Sequence, residues 1–276
     1  MKKVTKCVAC PVMVLFCMLI VCSVDESHAG VGVKPTIIET VVSAGEAKKG
    51  VYKVVNSDPQ PIHVKVEIED WLKKRTGTSP ISVEEWLTIS PMELDINPGG
   101  MEEVEYTIDV PRGADSELVA MVFFSAAIPT EGAFDITSRF GVSIYAVIED
   151  EMELGCRVND ISVKRNVIEK EDGGRIDKGI IFVVDVANEG NVHLRPTGTI
   201  MITDEDGKQY KVSIKRGFPI YPGSRLDYAI RWDKTDLAPG RYKARTVLDY
   251  GRIYDLPDRT VEREILFTVD GNGDIS

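Results

Sequence analysis

Apolar and polar residues alternate along much of this chain. Ile62, Val64, Val66 and Ile68 interleave with His63, Lys65, Glu67 and Glu69. The same pattern recurs over Val104–Val110, Leu226–Trp232 and Tyr242–Leu248. A period of two sends one row of side chains to a buried face and the other to water, so each run predicts a half-buried antiparallel strand. Leu118 to Ile128 is nearly all apolar, which predicts a central strand covered on both faces. No window of twelve or more residues carries a helical stripe.

Turn signals punctuate these runs at short intervals: Ser57-Asp58-Pro59, Asn97-Pro98-Gly99-Gly100, Pro111-Arg112-Gly113, Asp206-Gly207, Tyr221-Pro222-Gly223 and Ala238-Pro239-Gly240. Strands at this spacing predict sandwiches or barrels, with about seven strands before residue 150 and about seven after it. The expected fold is all-β, two immunoglobulin-like β-sandwich domains in tandem. Acidic Glu149–Gly155 marks the expected boundary, giving domains at 30–150 and 151–270 and a polar tail at 271–276. Each half also holds a glycine-led strand ending in Asn (Gly50 to Asn56, Gly179 to Asn188), then a Pro-Gly turn into an alternating strand. This weak repeat fits either an internal duplication or two independent sandwiches.

Composition changes the picture mainly at the start of the chain. Lys2, Lys3 and Lys6 precede an apolar run from Cys7 to Val24 and small residues at Ser27-His28-Ala29. This is the layout of a secretory signal peptide cut after Ala29, which leaves no stable membrane insertion. A retained anchor is the alternative, since the run approaches a spanning length. A lipoprotein signal at Leu19–Cys22 fits less well, because no small residue precedes Cys22. Four of the five cysteines lie in this segment, so the remaining chain keeps Cys156 alone and no internal disulfide. The full chain carries a net charge of -11, and removal of the segment leaves -12. That balance excludes nucleic acid as a partner, for want of cations to neutralise phosphates.

Catalytic chemistry is hard to assemble from what remains. Cys156 reads as a buried or idle thiol. His63 falls on the polar face of its strand, and His193, in the turn Asn188–His193, is expected to fix loop geometry. Two histidines and one cysteine make no zinc site, and no phosphate loop or nucleophile elbow is present. Asp204–Gly207 reads as a hairpin turn. Asp270-Gly271-Asn272-Gly273-Asp274 begins like a calcium loop but lacks the later ligands, so a polar tail is expected. The chain is expected to be no enzyme and to need no metal or cofactor. Val142, Ile144, Ala146 and Ile148 share one face of the last strand before the boundary. On a sheet edge such a strand could add to a partner's sheet; otherwise the four face their own core.

The first half resembles the N-terminal domain of periplasmic pilus-assembly chaperones of the PapD-like family. The resemblance rests on Val51-Tyr52-Lys53-Val54-Val55-Asn56, Pro61–Val66, Leu87–Pro91 with Leu94–Gly99, Tyr106–Pro111 and the apolar strand from Leu118 to Phe124. The second half, over Asn188–Gly198 and Asp206-Gly207, is similar to immunoglobulin-like domains of bacterial cell-surface proteins that bind WxL proteins and peptidoglycan. The first resemblance implies a periplasmic chaperone that lends a strand to unassembled pilin-like or surface-protein subunits, working with an outer-membrane usher. It implies Val142, Ile144, Ala146 and Ile148 as the donor residues, and a basic pair gripping the client's terminal carboxylate, for which Lys34 and Arg139 are the candidates. The second implies a structural or adhesive module, at the cell surface or extracellular, that binds protein or cell-wall glycan.

Overall fold

The computed structural model describes residues 30–114, 117–128, 136–256 and 258–276. The expected signal segment, residues 1–29, lies outside them. The first half contributes β1 (Val31–Lys34), β2 (Ile37–Val42), β3 (Ala47–Asn56), β4 (Ile62–Asp70), β5 (Leu87–Ser90), β6 (Glu93–Ile96), β7 (Met101–Asp109), β8 (Leu118–Ile128) and β9 (Ile136–Ile148). The count exceeds the seven expected because prolines split runs in two. Pro35 separates β1 from β2, and Pro91 separates β5 from β6; Pro lacks the N–H a ladder needs. The halves of each run join opposite sheets. One sheet has the order β1-β3-β7-β5 and the other β2-β9-β8-β4-β6.

The second half contributes β10 (Cys156–Glu169), β11 (Arg175–Asn188), β12 (Thr197–Asp204), β13 (Gln209–Ile214), β14 (Arg225–Trp232), β15 (Gly240–Asp249) and β16 (Thr260–Val269). Its sheets are β10-β11-β14 and β13-β12-β15-β16. The fold is therefore two immunoglobulin-like sandwiches. Among the described residues no ladder joins a strand up to Ile148 to one from Cys156 onward.

The alternating rows fill two separate cores. Tyr52, Val64, Phe124, Val142 and Ile144 belong to the first. Phe182, Val184, Ile200, Ala244 and Phe267 belong to the second. The weak repeat corresponds to a shared device. The Asn56 side chain donates to the Gln60 and Ile96 carbonyls while its Oδ1 accepts from the Asp58 N–H. Asn188 does the same to Val192, Ile220 and Gly190. Both asparagines are 2% exposed or less, so each satisfies buried carbonyls that would otherwise be orphaned.

Two short helices interrupt the first domain. α1 (Trp71–Thr76) starts where the Asp70 carboxylate caps the Lys73 N–H at 2.9 Å, and stops at Gly77, whose φ of 88° suits glycine. α2 (Val83–Trp86) buries Val83 and Trp86 against the first core.

Candidate functional site

β9 is paired on both sides for only half its length. β8 runs antiparallel to it from Ile136 to Ala146. β2 runs parallel along its other edge, but only from Ser143 to Ile148. The Ser143 N–H donates to the Thr36 carbonyl at 3.2 Å, so Ser143 turns its backbone toward the β2 edge. By the period of two, Thr137, Arg139 and Gly141 turn their N–H and C=O groups to that same edge. No strand pairs there among the described residues. An unpaired edge of this kind is a template for another strand.

The side chains of the expected donor face lie elsewhere. Val142, Ile144, Ala146 and Ile148 are all 1% exposed or less, packed in the first core. Their row occupies the inner face of the sandwich, so of the two readings of that alternation the core reading holds for the side chains. What β9 leaves accessible is backbone, and it lies N-terminal to most of those residues.

The expected basic pair is also placed differently. Arg139 donates to Glu67 and Glu69, both at 3.0 Å, and its guanidinium sits 3.6 Å from the centroid of the Phe123 ring. Lys34 is exposed on β1, opposite Lys53. Neither lines the large cleft that opens between the two domains.

That cleft has a volume of about 770 Å³. Trp71 and Arg75 from α1, Ile37 from β2 and Tyr145 from β9 wall one side. Arg195, Arg216, Phe218 and Tyr221 wall the other. Behind it lies a buried ionic cluster joining both domains. The Glu117 carboxylate accepts from the His193 backbone N–H at 2.8 Å and contacts His193 Nδ1. His193 Nε2 lies 3.3 Å from Glu39. Glu39 also contacts Arg195 Nε at 2.7 Å and pairs with Arg216. The His193 side chain is 0% exposed and that of Glu117 1%.

Aromatic hydroxyls complete the cluster. Tyr254 donates to the His193 carbonyl, and the Tyr145 and Tyr221 hydroxyls lie 3.3 Å apart. Burial pushes the Tyr221 and Tyr254 hydroxyls well above the ordinary tyrosine range. Leu72, Val119, Tyr145 and Tyr221 form an apolar contact that bridges the domains. It covers the outer face of β8 only at its start: Leu118–Ala120 are all buried, but from Met121 to Ala127 buried residues alternate with half-buried or exposed ones, so the expected cover on both faces does not extend along the strand.

His193 was expected to fix loop geometry, but its bonds go to Glu117, Glu39 and Tyr254 rather than within the turn, and its role as a bridge between domains was not visible in the sequence. The signal that could have revealed it is a charge in an apolar run: Glu39 among Ile37, Ile38, Val41 and Val42, and Glu117 directly before Leu118. His63 is half-exposed beside Asp95. Cys156 is partly buried, and that burial pushes its thiol up to about 12. Asp270 accepts from the Asn272 and Asp274 N–H groups, and Arg165 donates to the Gly273 carbonyl, so the tail's calcium-like residues form a closed turn. No cluster suited to a metal occurs among the described residues. No described helix is long and apolar enough to cross a membrane.

Solved structures that resemble this chain over most of its length include chaperones of fimbriae and pilins. The class 5 fimbriae chaperone CfaA is 14% identical, with a TM-score of 0.43, over 85% of this chain and 98% of its own. The YadV chaperone is 11% identical, with a TM-score of 0.41, over 86% and 98%. The Salmonella enterica SafA pilin in complex with the SafB chaperone matches at 13% identity and a TM-score of 0.39, over 86% and 97%. No protein-family model and no curated protein matches the chain.

Proposed function

We propose that this chain is an exported, non-enzymatic chaperone for pilin-like subunits of surface assemblies, acting in the periplasm by strand addition. The observation that supports this reading best is the free edge of β9 from Thr137 to Gly141, ending where the cleft begins. A client's unfinished sheet gains a strand by pairing with that edge, and main-chain hydrogen bonds supply the affinity. The donor is thus the backbone of residues 136–142. Val142, Ile144, Ala146 and Ile148 contribute by holding β9 rigid from the core side. At Ser143 the edge is already taken by β2, so the client strand stops there and its terminal carboxylate turns into the cleft. Arg75 and Arg216 are the cations within reach of it, in place of Lys34 and Arg139. Residues 30–150 are the client-binding domain in this reading, and residues 151–270 form the opposite wall of the cleft.

The test is capture of a co-expressed pilin-like subunit by Thr137→Pro. Proline removes one N–H at the free edge while the ladder to β8 does not use it. Losing one such bond costs about 1–2 kcal/mol, so capture is expected to weaken roughly tenfold with the thermal midpoint unchanged. Undiminished capture by a folded Thr137→Pro protein refutes strand addition at this edge.

A further inference from the structure

The cleft carries more information than a carboxylate site requires. The chain has a net charge of -11, yet Arg75, Arg195 and Arg216 line the cleft, and no acidic side chain is among its lining residues. Glu39 lies beneath, engaged with two of the three. Two guanidiniums lie over aromatic rings, Arg75 at 5.9 Å from the Tyr221 centroid and Arg195 at 5.4 Å from that of Tyr145. The walls are thus aromatic, with cations set into them, which suits a ligand having an anionic group next to a large apolar one.

Phe218 decides which apolar group. It is 81% exposed, the most exposed large hydrophobic side chain among the described residues. Its backbone is nevertheless held firmly. The Gly217 carbonyl accepts from Arg195 at 2.9 Å, the Phe218 carbonyl accepts from the Tyr228 hydroxyl at 3.1 Å, and Pro219 follows. A Cβ at Gly217 would lie 2.5 Å from the Tyr228 ring, so only glycine lets the loop sit this close. An aromatic ring presented to water from an ordered loop loses little entropy on binding, which is the character of a binding hot spot.

Building on the strand-addition reading, we propose that the cleft selects clients whose last residue is aromatic and ends in a free carboxylate, with Phe218 as the specificity-determining wall. The client ring packs between Phe218 and Trp71, while its carboxylate meets Arg216 and Arg75. Clients ending in a small polar residue would be rejected, because they would leave those rings in water.

Small probes test the cleft apart from the edge. N-acetyl-L-phenylalanine, its carboxamide and N-acetyl-L-serine are titrated into the chain lacking residues 1–29, with backbone amide shifts as readout. The first is expected to shift residues 216–221 and 71–75 and to bind at least tenfold more tightly than the other two, about 1.4 kcal/mol. Phe218→Ala is expected to abolish the preference for phenylalanine over serine, and Phe218→Trp to keep it. Equal binding of phenylalanine and serine probes, no cleft shifts at saturating probe, or an unchanged preference in Phe218→Ala would each overturn the proposal. If β9 captures subunits yet the cleft shows no aromatic preference, this inference fails and strand addition stands. If the cleft discriminates but Thr137→Pro captures normally, strand addition fails and the cleft assignment stands.

Discussion

Replacing His193 by Phe is the sharpest test of how the two domains are held together. The ring is fully buried, its plane 32° from that of Tyr145 and its centroid 4.1 Å away. Phenylalanine keeps the shape and the stacking but removes both nitrogens. Glu117, 1% exposed, then retains, among the described residues, only the backbone N–H of residue 193 at 2.8 Å as a partner. Removing a partner of a buried carboxylate costs about 3–5 kcal/mol, because its charge then stays buried with less compensation. The surviving backbone bond favours the lower end, about 3 kcal/mol. For a protein of this size that lowers the thermal midpoint by about 6–12 °C. Glu117→Leu should cost somewhat less, since the imidazole keeps Glu39 at 3.3 Å and the Tyr254 hydroxyl at 3.2 Å. In the double variant both partners are gone, and the loss should fall well below the sum of the singles, with a coupling of about 2 kcal/mol or more. Urea unfolding of all four proteins measures this directly. A cost under about 1 kcal/mol for either single variant, or strict additivity, would show that the buried pair does not hold the interface.

Other consequences follow from the same geometry. Ile144→Asp places a carboxylate at a fully buried site with no partner, so it should unfold the first domain rather than selectively abolish capture; circular dichroism would report it. The Cys156 thiol, pushed up by burial to about 12, should resist alkylation at neutral pH in the folded protein and react once urea unfolds it. Lys74 and Arg139 hold the Glu69 carboxyl below the usual range, and Arg225 and Asn159 do the same for Asp185. Depressed carboxyls contribute stability that is present above their unfolded values, about 4, and is lost as pH falls through the lower folded ones. The thermal midpoint should therefore hold from pH 7 to 5 and decline below about 4. Arg139→Gln and Arg225→Gln should flatten that decline.

Much of the fold was legible because strands advertise themselves locally. The rows Ile62–Ile68 and Val104–Val110 needed only the period of two to give strand and buried face. The strands ending in Asn56 and Asn188 stood out as a repeat, but the burial of those side chains did not, because their carbonyl partners Ile96 and Ile220 lie 40 and 32 residues further on. The site was legible only in part, for a physical reason. Whether β9 has a free edge depends on how far β2 runs beside it, and that pairing is between segments a hundred residues apart. Alternation at Val142–Ile148 reports which side chains face inward, and is silent on whether the backbone has a neighbour. The same limit applies to Arg75, Arg195 and Arg216. Each sits in unremarkable local sequence, and Arg75 meets the other two only because the two domains pack. Arg139 looked available because its partners Glu67 and Glu69 lie on another strand.

Strand addition at β9 is tested most directly by amide hydrogen exchange at Thr137, Arg139 and Gly141, in the free protein and in complex with a captured subunit. These three N–H groups face the unpaired edge, so they should exchange fast alone and become strongly protected in the complex. The alternating amides that already serve the β8 ladder should change little. Protection confined to other surfaces, with Thr137, Arg139 and Gly141 exchanging as before, would contradict the account.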